Sequence, residues 1–130
     1  MPFVQAVGLE IESADEGVAV VSIPLSDVVT YDGTAFTAIA VGLVADVAAG
    51  AATLRTLPVD EMALTAGVDS TMTASTKGDR LSARAQLRER DDTRLIFDAV
   101  VTVSSVGAAP KECGRGVVTM RVARPNGHSD

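Results

Sequence analysis

The stretch AFTAIAVGLVADVAAGAATL, residues 35–54, decides the fold. Its twenty residues carry one charge, Asp46. Length alone would let the run cross a bilayer, for which about 20 apolar residues suffice. Its residue types argue otherwise. Ala, Gly, Val and Thr insert weakly, and an acid near the middle costs about 2.5–3.5 kcal/mol on insertion scales. Neither flank carries a positive cluster. A helix buried within a soluble domain accounts for the run at lower cost, so no membrane partner is expected. Thr34 is placed to cap the helix start, and Pro58 stops it near Leu57.

Upstream, residues 2–8 fit a short helix or turn. GLEIESADEGVAVVSIPL, residues 8–25, alternates as a hairpin does. Leu9 and Ile11 lie on one arm, Val18, Val20 and Ile23 on the other, with SADEG as the turn. Pro24 ends the second arm or sets it at an edge. Asp32-Gly33 is the clearest turn signal in the connection to the helix.

Downstream, ALTAGVDSTMTAS, residues 63–75, alternates weakly. TKGDR follows as a turn. RLSARAQLRERD alternates strictly, with Leu81, Ala83, Ala85 and Leu87 on one face and Arg80, Ser82, Arg84, Gln86 and Arg88 on the other. TRLIFDAVVTVSSV reads as a central strand, GAAPKECGRG as a glycine-rich loop and GVVTMRVAR as the last strand. The order is two strands, one helix, then four strands. Short turns between successive strands make the sheet mainly antiparallel. The one long apolar element must cover its inner face.

The whole chain, residues 1–130, fits one domain, with about 125–130 a flexible tail. At 47% hydrophobic and 22% charged it is globular, and with 3% aromatics its core rests on Val, Ala, Leu and Ile. A net charge of −6 gains nothing from counterion release, so no nucleic acid is expected. The single Cys113 excludes an internal disulfide and a cysteine-rich metal site, and the single His128 sits in the tail. No signal peptide is visible at the start, so the cytoplasm is the expected compartment. Nothing in the sequence calls for a metal or a cofactor.

Asp46 shares its helical stripe with Gly42 and Gly50, four residues to either side. Each interior glycine costs a helix about 1 kcal/mol relative to Ala. They leave either a slot beside the carboxylate or room for another backbone, from a strand or a second subunit. Asp46 itself must be paired, hydrogen-bonded or neutral if buried. It is either a general base or proton donor, or a structural acid bonded to backbone N–H groups or lying at a subunit seam. The dispersed Met residues read as packing, and Cys113 as an incidental thiol.

Three segments together carry a family resemblance: FVQAVGLEIESADEGVAVVSIPL, GTAFTAIAVGLVADVAAGAA and STKGDRLSARAQLRERDDTRLIFDAVVTVSSV. They resemble the PaaI-like acyl-CoA thioesterases of the hotdog superfamily over roughly residues 3–122. The helix centre LVADVAAGAA is the most specific piece, similar to that family's Leu-Ala-Asp-x-Ala-x-Gly-x-Ala; KGDRLSARA also matches. The resemblance implies an α+β hotdog fold, with five to six antiparallel strands wrapped round one long helix. It implies a homodimer, or a homotetramer built as a dimer of dimers, with active sites at the dimer seam. It implies hydrolysis of an acyl-CoA or related acyl thioester. Asp46 then matches the helix carboxylate that acts on the thioester, and the backbone N–H at Ala38 the donor to its carbonyl. Thr65 falls near a polar residue that relatives supply from the second subunit.

Where the family carries His-Gly-Gly at the helix start, this chain has Thr37-Ala38-Ile39, with Tyr31 or Asp32 near the family's Asn. Thr37 or Tyr31 would then supply a hydroxyl in place of the His or Asn. Substrate contacts are expected at Tyr31, Thr37, Gly42, Gly50 and Arg84. Arg84 and its strand neighbours either meet the CoA phosphates or form a solvated face, and Lys111 and Arg115 pose the same choice. Against hydrolysis stands a non-hydrolytic hotdog that binds acyl-CoA or another acyl ligand. A hotdog dehydratase is weaker, because it needs a His in the site.

Overall fold

The computed structural model describes residues 8–30 and 32–123. The expected element at residues 2–8, apart from Gly8, lies outside the described residues, as do Tyr31 and the 125–130 tail with His128. The chain runs β1 (Glu10–Asp15), β2 (Val18–Pro24), a 3-10 turn (Asp27–Val29), α1 (Ala38–Thr56), β3 (Met62–Met72), β4 (Arg80–Arg90), β5 (Arg94–Ser104) and β6 (Lys111–Ala123). The strands form one six-stranded sheet in the order β1-β2-β4-β5-β6-β3, with every neighbouring pair antiparallel. The sheet packs on α1, as the order of strands and helix required.

The alternation of β4 decides which way the sheet faces. Leu81, Ala83 and Ala85 are buried beneath the helix and Arg84 and Gln86 are exposed. A register shift between Leu87 and Glu89 ends that alternation. β4 and β5 occupy the middle of the sheet, as the apolar run in β5 predicted. The helix buries Ala40, Val41, Val44, Ala45, Ala48, Ala49, Ala51 and Ala52, so its side of the core is built from small side chains, while Phe36, Phe97, Ile23, Leu81 and Leu95 supply the bulk around it. By length and composition α1 could cross a membrane, but half of it is buried inside the fold.

Three boundaries differ from the sequence reading. The helix is capped by Thr37, whose Oγ1 accepts from the Ala40 N–H at 3.1 Å, and not by Thr34. Thr34 instead donates its hydroxyl and N–H to Asp32 Oδ1, holding that carboxyl below its usual range. Ala35 and Phe36 are committed to bridges with Lys77 and Thr30, and Phe36 is fully buried, so the helix cannot start before them. The hairpin turn narrows to Glu16-Gly17, because Gly17 supplies the positive φ of +77°. The supposed loop GAAPKECGRG is a strand from Lys111 onward. Its glycines serve close packing there. A Cβ on Gly114 would lie 2.9 Å from Val41 Cγ1, so the missing side chain lets β6 pass tightly over the helix.

At its far end, α1 stops where Leu57 N–H donates to Thr53 O before Pro58. Thr56 donates back to Ala52 O, and its oxygen accepts from the Gly17 N–H at 2.9 Å, fastening the β1–β2 turn to the helix end. The face of α1 turned from the sheet stays apolar and open. Ile39 is 82% and Leu54 81% exposed.

Candidate functional site

Asp46 projects from the middle of α1, half-buried, beside strand β3. Thr65 reaches it from that strand and donates from Oγ1 to Asp46 Oδ1 at 2.7 Å. A bulge sets up the contact. The β3–β6 register passes from Thr65 opposite Met120 to Gly67 opposite Thr119, which leaves Ala66 as an extra residue. Such bulges bend a strand and re-aim its side chains. The Met120 sulfur lies 3.6 Å from the same hydroxyl. A threonine hydroxyl has one proton to give, and the shorter, charge-assisted contact takes it. The resemblance placed a second-subunit residue near Thr65; here the pair forms within one chain.

The pair stands at one end of a cavity of about 610 Å³. Val47, Gly50 and Leu54 line it from the helix, Met62 and Met120 from the sheet, and Ile11 from β1. A smaller hollow of about 310 Å³, bounded by Arg90, Asp91 and Asp92, adjoins it at Leu57 and Glu61. Met120 packs in the core, as the reading of the Met residues expects, and also borders the cavity, whereas Met62 is exposed and lines it. Nothing local marks them, since their role depends on which strand crosses which turn of the helix.

The two glycines of the acid's stripe have different surroundings. A Cβ on Gly42 would come within 3.3 Å of Ser70 Oγ, so β3 occupies that space. A Cβ on Gly50 would meet nothing within 4 Å, so the slot opens there. Ala38 and Ile39 form the exposed first turn of α1, where backbone N–H groups have no intrahelical acceptor. Ala38 lies eight residues from Asp46, about 12 Å along the helix at 1.5 Å per residue. One chain therefore does not bring these two groups to one atom. Arg84 projects from the sheet face opposite the helix and does not approach Asp46 within the chain. Arg115 is held by Glu112 through contacts of 2.9 and 2.8 Å. Cys113 is fully buried; desolvation first, and the Glu112 charge second, push its thiol up to about 11. That thiol is no nucleophile at neutral pH.

Solved structures share this architecture. A thioesterase family protein from Silicibacter pomeroyi superposes with a TM-score of 0.88 at 19% identity, over 95% of this chain and 90% of its own. A thioesterase from Haemophilus influenzae gives 0.85 at 13% identity, over 98% and 87%. A mutant thioesterase from Pseudomonas aeruginosa gives 0.80 at 16%, over 94% and 86%. A single helix held in a six-stranded antiparallel sheet is the hotdog fold, and this chain has that fold. Residues 1–122 match the family model described as "Domain of unknown function (DUF4442)", and the chain belongs to that family. No curated protein matches it.

Proposed function

We propose that this chain is a PaaI-like acyl-CoA thioesterase, working as a homodimer or a dimer of dimers, in the cytoplasm. The observation that carries the reading is the Asp46–Thr65 pair at one end of a largely apolar cavity. Thr65 engages one oxygen of the carboxylate and fixes its rotamer, leaving the other to face a water. The thioesterase names of the structural neighbours add to it.

The second subunit supplies what one chain lacks. β3 is an edge strand eleven residues long, with Leu64 65% and Met62 54% exposed. A long apolar edge invites pairing with another strand. Two copies joined antiparallel along β3 run their helices in opposite directions. Asp46 of one subunit then faces the Ala38 end of the other, which removes the 12 Å separation. Arg84 and Tyr31 remain candidate CoA contacts in that assembly, and Thr37 orders the turn that presents the donor.

Chemically, Asp46 takes a proton from water as the water oxygen adds to the thioester carbonyl carbon. The N–H at Ala38 holds the oxygen that becomes negative. Collapse breaks the C–S bond, the thiolate takes up the proton, and the products are a free acid and a thiol. The lone unpaired cysteine is in keeping with a reducing compartment.

The test offers acetyl-, octanoyl- and benzoyl-CoA and measures free CoA by chromatography, for wild type and Asp46→Asn. Loss of the base is expected to cost about 10²–10⁴-fold in kcat. Equal turnover by both proteins, or none by wild type, would refute the reading. A second reading, acyl-CoA binding without hydrolysis, is favoured by Thr37-Ala38-Ile39, which stands where the resembled family carries His-Gly-Gly. Tight binding with no release of CoA would establish it.

A further inference from the structure

Gly50 sits one helical turn beyond Asp46 on the same stripe, and its absent side chain leaves open space. The cavity continues past it to Leu54 and on to Leu57, about three turns from the acid, with Val47, Met62 and Met120 along its sides. Among the described residues its lining includes no Lys or Arg, and its two charged members, Asp46 and Glu61, are both acidic. A second carboxylate on a short acyl group would lie beside Asp46 and meet like charge. A neutral hydrocarbon chain would find dispersion contacts and leave water.

We infer that the cavity is an acyl-length gauge for neutral, unbranched acyl groups of medium to long length, and that Gly50 is the gate through which the chain passes. This rests on the reading that Asp46 marks the thioester end. The length follows from geometry. At 1.5 Å per helical residue, Gly50 lies about 6 Å and Leu54 about 12 Å beyond Asp46. An extended hydrocarbon advances about 1.3 Å per carbon, from bonds near 1.5 Å at tetrahedral angles. The chain therefore crosses Gly50 near its fifth carbon, reaches Leu54 near its ninth or tenth, and reaches Leu57, about 16 Å beyond Asp46, near its thirteenth. Octanoyl and decanoyl groups pass the gate and lie along this lining. Acetyl and butyryl groups stop short of the gate.

The experiment compares wild type, Gly50→Ala and Gly50→Leu on straight-chain acyl-CoAs from acetyl to myristoyl, with succinyl-CoA as the acidic case. In wild type, kcat/KM rises about threefold to fourfold per added methylene between butyryl and octanoyl, from the transfer of one methylene out of water. It goes on rising to lauroyl and levels by myristoyl, and succinyl-CoA is poorer than butyryl-CoA. In Gly50→Leu the octanoyl-to-butyryl ratio of kcat/KM falls at least about thirtyfold, with three or more methylenes denied the cavity. Gly50→Ala lies between. Circular dichroism and melting establish that each variant is folded.

Calorimetric titration with 1-octanol reads the same cavity without any turnover. Wild type binds and Gly50→Leu does not. If no acyl-CoA is hydrolysed while this difference holds, hydrolysis falls and the gauge stands. If octanol binds neither protein, or both alike, the gauge is overturned. A uniform loss across all chain lengths in a folded Gly50→Leu overturns it too.

Discussion

Replacing Gly50 by Ala separates a slot kept for a ligand from a space filled by another part of the assembly. A glycine inside a helix costs about 0.8–1 kcal/mol relative to alanine, mostly through the freedom it retains unfolded. The added Cβ at position 50 meets no atom within 4 Å, so no packing penalty offsets that gain. Gly50→Ala should therefore stabilise the chain by about 1 kcal/mol. With an unfolding entropy of about 2.1 cal/mol/K per residue, a chain of this size gains about 3–4 °C in Tm. Gly42→Ala is the internal control. Its Cβ would press within 3.3 Å of Ser70 Oγ, so the helical gain is largely offset and Tm moves by less than about 2 °C. Differential scanning calorimetry at matched protein concentration reads both, because assembly makes Tm concentration-dependent. A fall in Tm for Gly50→Ala would refute the reasoning. It would mean that a partner subunit's backbone occupies the slot, and the glycine would then be structural. A rise in Tm with poorer turnover of long acyl chains is the pattern of a gap retained for function.

Thr65→Val keeps the shape and removes the donor to Asp46; kcat should fall about tenfold, the worth of a charge-assisted hydrogen bond of about 1.5 kcal/mol, and Thr65→Ser should recover most of it. Gly114→Ala places a Cβ 2.9 Å from Val41 Cγ1 and 3.2 Å from the Thr71 carbonyl, so urea unfolding should show a loss of about 1–3 kcal/mol. Cys113 gives a pH signature. Its folded thiol is raised to about 11 from 9.0, so the stability it contributes is present below 9.0 and is lost as pH climbs through about 11. The full effect is about 2–3 kcal/mol. Urea melts at about pH 8 and about pH 10 should show wild type losing more stability than Cys113→Ala, and equal losses would contradict the assignment.

The period of the hydrophobic pattern made the helix and the strands legible, because one face of each element is buried. β4 is the clearest case: its alternation placed Arg84 opposite Ala83 and Ala85, and therefore away from the helix that carries Asp46. Failures came where a distant contact overrides local signals. Thr34 looks like a cap, but Phe36 is tied to Thr76 by two hydrogen bonds across the fold, and the helix waits for Thr37. Gly114 and Gly116 look like loop residues, yet each lies where a neighbouring backbone or the helix comes too close for a Cβ. Asp46 declared itself as the lone acid in an apolar rod. That Gly50 faces open space while Gly42 faces β3 could not be read from their symmetric spacing. It depends on how far β3 extends along the helix.

A mixing experiment tests the shared site most directly. Asp46→Asn removes the acid. Ala38→Pro removes the N–H at the first helical position, where proline is tolerated, and Thr37 already has the extended backbone that must precede it. Each variant alone should be inactive on octanoyl-CoA. Unfolded and refolded together, they form mixed dimers in which one seam unites an intact Asp46 with an intact Ala38 N–H. Random pairing should restore about a quarter of wild-type activity. A mixture as inactive as its parents would contradict the account, because the acid and the donor would then not meet across two subunits.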